Sequence, residues 1–189
     1  MLIAAGGSPR FCHMMDTVKT RNLIDSLERF AEILPAVVRG VAPEDARWKP
    51  ADGAWSILEI VTHLADEEVE DFRTRVELTL RDPAEPWPPI DPEAWAVDRR
   101  YNEGDLAGAL KRFVSERCRS VKWIRGIANP DWSKARTHPQ LGPLRAGDIF
   151  AAWVAHDALH LRQIAKRMHQ MTQRDAGVYT VHYAGRWTS

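Results

Sequence analysis

Only two cysteines, Cys12 and Cys118, occur in 189 residues, too few for a disulfide framework, and a reducing cytoplasm is the expected compartment. Charge of one sign is missing as well. Lys plus Arg and Asp plus Glu stand at 26 each, with the basic residues scattered among acids. That balance gives no field for nucleic acid or an acidic membrane surface. No apolar run approaches the roughly 18 residues of a membrane span. Met1 to His13 has no basic start followed by a long apolar stretch, so no secretory signal is expected. Gly6, Gly7, Ser8 and Pro9 make residues 1–15 read as a loose leader, with Met14 or Met15 opening the folded part. Length then predicts one domain over 16–174 and a tail over 175–189.

What the chain does have is helical periodicity. From about Asp16 to Arg39, Leu23, Leu27, Phe30, Leu34, Val37 and Val41 alternate spacings of four and three, the stripe of a bundle helix. Pro35 is expected to kink or end it near Leu34. Pro43 and Pro50 bracket a loop carrying Trp48. Ser56 with Glu59 three residues later is a capping-box signal, and Ile57, Ile60, Val61, Leu64, Phe72, Val76 and Leu80 stripe the second helix. Five prolines between Asp82 and Pro92 predict a long crossover without regular structure. The third helix, about Asp105 to Ile127, is striped by Leu106, Leu110, Phe113, Val114, Cys118, Val121 and Ile124. That register puts Cys118 in a buried seam, where a thiol is inert rather than nucleophilic. A loop with Pro130, Pro139, Gly142 and Pro143 precedes the fourth helix, roughly Gly147 to Met171. No strand series competes. The fold class is all-α, a four-helix bundle with a long proline-rich crossover between helices two and three.

The chemistry sits on the fourth helix. Ile149, Trp153, His156, His160, Gln163 and Arg167 define one face, so His156 and His160 occupy the seam where an amphipathic helix normally places Leu or Ile. Residues four apart stack on a helix, and both imidazoles can grip one ion. A lone inward histidine is usually a hydrogen-bonded core residue; two stacked point to a metal. His63, between Ile60 and Glu67 on the second helix, is the best third ligand. His138 lies in a loop, His13 and His182 in expected tails, and His169 on a neighbouring face. Three imidazoles with open positions are the ligand set of catalytic sites. A zincin-type protease reading of His156-Asp157-Ala158-Leu159-His160 is weak, because Asp replaces the Glu base and no Glu follows His160. A di-iron carboxylate site needs Glu-x-x-His on two helices, which is absent.

Trp55-Ser56-Ile57-Leu58-Glu59-Ile60-Val61-Thr62-His63-Leu64 and His156-Asp157-Ala158-Leu159-His160-Leu161-Arg162-Gln163-Ile164 resemble the two signatures of the DinB/YfiT-like superfamily, and Trp48-Lys49-Pro50 then Gly53 resembles its loop into helix two. The resemblance spans roughly Asp16 to Met171. It implies a four-helix bundle in which His63, His156 and His160 bind a divalent metal, often zinc or nickel, and homodimers are common in such proteins. Members with known activity include thiol-dependent S-transferases and a thiol-dependent maleylpyruvate isomerase. Many others carry only a proposed hydrolase activity. Substrate does not transfer.

A metal held by three imidazoles activates water, or holds a low-molecular-weight thiol as thiolate. Among nearby carboxylates, Glu67, one turn after His63, is the candidate hydrogen-bond partner or base; Asp157 is expected to face a neighbouring helix or solvent. The run Asp66, Glu67, Glu68, Glu70 and Asp71 is otherwise expected to be an exposed acidic face. Of the eight tryptophans, Trp123 and Trp153 read as core or interface, Trp55 as an anchor over the helix start, and Trp87 and Trp95 as pocket-mouth candidates. The expected function is therefore a metal-dependent hydrolase or thiol-dependent S-transferase acting on a small molecule. The alternative is a non-catalytic metal-binding or ligand-binding dimeric bundle.

Overall fold

The computed structural model describes residues 9–187, with side chains over 19–187. The four expected helical stretches are α1 (Pro9–Val37), α3 (Ile57–Glu67) running through a π turn (Glu68–Arg73) into α4 (Thr74–Arg81), α6 (Leu106–Gly126) and α7 (Ala146–Asp175). Short helices α2 (Pro43–Arg47) and α5 (Pro92–Asp98) occupy the connections. No helix among the described residues is long and apolar enough to cross a membrane.

Local chemistry accounts for several boundaries. Ser56 Oγ accepts the Glu59 amide at 3.1 Å while Glu59 Oε2 accepts the Ser56 amide at 2.7 Å, so the capping box closes α3 as its spacing predicts. Lys49 Nζ adds a 2.8 Å bond to Glu59 Oε1. Pro35 does not stop α1 at Leu34; the helix runs on to Val37. The leader reading reaches into this helix, since α1 begins at Pro9, and residues 1–8 lie outside the described residues.

The short connecting helices are additions to the expected four, and two further elements depart from expectation. Where a loop was predicted before the fourth helix, β1 (Ala135–His138) pairs antiparallel with β2 (Gly142–Arg145), Ala135 opposite Arg145. The turn is allowed by Gly142 at φ 73°, a conformation that costs glycine nothing sterically. His138 Nδ1 accepts the Gln140 and Leu141 amides across it, at 3.1 and 3.2 Å. The second is the π turn. Its wider winding leaves the Val69 carbonyl to the Thr74 hydroxyl, which donates to it at 2.6 Å.

The acidic run, partly in α3 and partly in the π turn, is not the exposed face that was expected. Asp66, Glu67, Glu68 and Asp71 are all buried. Asp66 takes Tyr101 Oη and Arg99 Nη1, each at 2.5 Å, and Arg112 as well. Glu68 takes Arg117 Nε at 2.9 Å, and Asp71 is paired with Arg75 at 2.6 Å. Cys118 is likewise corrected: it is exposed, and the inward position one residue earlier belongs to Arg117, 1% exposed.

The interior is divided in two. One apolar cluster joins Phe30, Leu34, Ile57, Ile60, Leu64, Phe113 and Ile164; the other joins Leu27, Phe72, Val76, Val121, Ile124, Phe150 and Trp153. Each of the four long helical stretches contributes to both. Arg117 lies between them, donating to Asp157 Oδ2 at 2.6 Å and Oδ1 at 2.8 Å, to Glu68, and to the Leu27 carbonyl at 3.1 Å. Trp153 Nε1 also donates to Glu68, at 2.9 Å. This polar layer carries the site.

Candidate metal centre

α3 packs against both α6 and α7, and His63 is buried on it. On α7, Trp153 and Ile164 are anchored in the two clusters, and His156 and His160 lie between them on one face, one turn apart. The three rings converge. His160 Nε2 lies 3.0 Å from His63 Nε2 and 2.9 Å from His156 Nε2, and one donor atom from each residue falls within 4.8 Å of the others. The three rings picked out from the sequence are thus brought together. The other described histidines lie apart: His138 caps the hairpin turn, and His169 packs against Trp187 at 5.6 Å.

Tautomer and charge follow from the surroundings. Gln163 Oε1 lies 2.8 Å from His160 Nδ1. An amide oxygen only accepts, so Nδ1 holds the proton and Nε2 presents a lone pair to the other two rings. Burial pushes all three imidazoles below their ordinary range, reinforced for His63 and His156 by the neighbouring rings: His63 to about 3, His156 to about 2 and His160 to about 4. At neutral pH the three rings are uncharged. Trp55 packs over His63 with ring centroids 4.8 Å apart, and Phe72 lies 4.9 Å from His156. The cluster is not sealed. His156 is only half-buried, Gln163 is exposed, and Leu159 beside them is 58% exposed.

The acids around the rings divide by partner. Asp157 faces a neighbouring helix through its bidentate pair with Arg117; burial raises its carboxyl to about 6 against the pull of that guanidinium, leaving it ionised at neutral pH. Glu67 differs. It is 4% exposed, and among the described residues Oε1 has no hydrogen-bond partner and no basic side chain forms an ion pair with it. Burial first, then the Asp71 carboxylate, raises it to about 8. This environment favours the protonated form of Glu67, and in that form the carboxyl is a hydrogen-bond donor.

Sequence reasoning missed Arg117, Glu68 and Asp71. A signal existed for the first: Leu110, Phe113, Arg117, Ser120 and Ile124 keep the three-four spacing of a seam, and an arginine at such a position argues for a buried partner. The half-buried Trp87 indole packs with the guanidiniums of Arg75 and Arg136, 5.0 and 5.5 Å from its ring.

Comparison with known proteins agrees with this architecture. The chain is 24% identical over 122 residues to YfiT of Bacillus subtilis (strain 168), a match covering 62% of this chain and 67% of that protein, whose name proposes a metal-dependent hydrolase. A solved structure of YfiT, described as a four-helix bundle of unusual topology, superposes with a TM-score of 0.73 at 19% identity, covering 91% of this chain and 94% of that one. With the model of the DinB superfamily matching residues 26–164, well over half its length, the chain belongs to the DinB superfamily.

Proposed function

We propose that this protein is a metal-dependent enzyme acting on a small molecule, with His63, His156 and His160 holding a divalent cation. One observation carries the reading: three neutral imidazoles aim nitrogen atoms at one another across 2.9 and 3.0 Å. With His160 Nε2 fixed as a lone pair by Gln163, the ring cannot bond both neighbours by its own protons, and charging a buried ring is disfavoured. A shared cation satisfies the three facing Nε2 atoms, so the residues present fit a metal. The relative named as a proposed metal-dependent hydrolase supports the same reading.

Bound there, a divalent metal supplies Lewis acidity toward a water or a thiol, lowering its pKa into the physiological range. The protein's own groups set the conditions. Gln163 orients His160 through Nδ1. Trp55 and Phe72 wall off two sides and keep the rings dry. The half-buried edge at His156 and Gln163 admits a small substrate, and this open side favours catalysis over a purely structural ion. Glu67 holds a proton for a leaving group. Zinc and nickel both suit imidazole donors, and a low-molecular-weight thiol is the proposed co-substrate where the reaction is transfer rather than hydrolysis.

The test is activity as a function of metal. Protein stripped with a chelator, then reloaded with zinc or nickel, is assayed for ester and amide hydrolysis and for thiol transfer from a panel of cellular thiols. The reading predicts turnover that disappears on stripping and returns on reloading. Turnover indifferent to metal, or none in any state, contradicts it.

A further inference from the structure

Arg167 is a buried cation with no ion-pair partner among the described residues. It continues the face of α7 that carries His156, His160 and Gln163, and it is 5% exposed. Nε donates to the Trp55 carbonyl at 2.7 Å and Nη1 to Gln170 Oε1. Both acceptors are neutral. Nη2 has no acceptor among the described residues, yet it is not among the atoms sealed from solvent. The other buried arginine, Arg117, holds two carboxylates. Asp52 lies close enough to be felt, but it is exposed, its Oδ1 takes the Ala54 amide, and it forms no ion pair with Arg167. Burial lowers the Arg167 pKa, where carboxylate partners raise that of Arg117.

A guanidinium cannot shed its proton near neutral pH, so burying one without an anion is a standing cost. Its position gives that cost a use. Seven residues beyond His160 is about 10 Å along a helix, and side chains lean toward the helix N-terminus, here toward the histidines. Trp55 links the two places. Its carbonyl holds Arg167 and its indole covers His63 at 4.8 Å.

The geometry points to Arg167 as an anion subsite that receives a carboxylate of the substrate, about 10 Å from the imidazole cluster. The role of the substrate's other end rests on the metal-enzyme reading; binding of the carboxylate does not. Isothermal titration of the purified protein, with and without one equivalent of zinc, compares hexanoate with hexanol. The wild type is expected to bind the acid at least about tenfold more tightly than the alcohol, and Arg167→Gln to erase that preference while leaving zinc content unchanged. Arg167→Lys, which keeps the charge but loses the fork, is expected to retain part of it. NMR of the arginine Nε–H groups in the wild type, assigned with these variants, is expected to shift the Arg167 signal with hexanoate and not with hexanol. Equal affinity for acid and alcohol in the wild type, an unmoved Arg167 signal, or a preference that survives in folded Arg167→Gln overturns the subsite. Zinc content, measured on the same samples, reports on the metal reading separately.

Discussion

His160 depends on one contact more than any other ring in the cluster. Its Nδ1 proton goes to Gln163, and that bond decides which nitrogen faces the other imidazoles. Gln163→Leu removes the acceptor and frees the tautomer, so the zinc affinity expected of the proposed site should fall about 10–100-fold with all three histidines in place; competition against a chromogenic chelator measures it, and unchanged affinity means the tautomer is set elsewhere. Glu67 makes a second prediction at this scale. Its carboxyl is raised to about 8 in the folded protein from 4.5. Between those values the unfolded chain loses its proton while the native one keeps it, so its contribution to stability is present below the lower value and lost as pH rises through the higher. Glu67→Gln should match the parent near pH 4 and exceed it above pH 8. Thermal unfolding across that range decides, and parallel curves for the two proteins contradict the assignment.

Among elements, the helices were legible because three-four spacing survives wherever the winding is regular. The same spacing carried the candidate site: His156 and His160 share a face by position alone, and His63 sits at the edge of its stripe. The π turn was not legible. One added residue per turn rotates Glu68 and Asp71 inward, and apolar periodicity reports nothing about a run of acids whose arginine partners lie elsewhere in the chain. The hairpin escaped for another reason: strands of four residues are too short for alternation to stand out. The Ser56 cap was readable from two residues. Ser56→Ala breaks one half of the box and the 2.7 Å bond to Asn102, and should cost about 1–2 kcal/mol in urea unfolding. A loss under a few tenths would show the cap to be ornamental to stability.

At the scale of the whole molecule, the protein is two apolar clusters with a charged layer between them. Arg117 binds that layer together, reaching α1, the π turn and α7 from α6. Removing it strands two buried carboxylates, so Arg117→Met should destabilise the fold by about 3–5 kcal/mol in chemical denaturation; a loss below about 1 kcal/mol would show that the layer is not held by this residue. Beside this layer, between the two clusters, lie the three uncharged imidazoles proposed to share one cation. Elemental analysis of untagged protein, alongside folded His63→Ala, His156→Ala and His160→Ala variants, tests that most directly. The account predicts one equivalent of divalent metal in the parent and loss of most of it in each variant, with helical content unchanged by circular dichroism. Full occupancy in any of the three variants, or a parent that binds no metal when supplied with zinc or nickel, would contradict it.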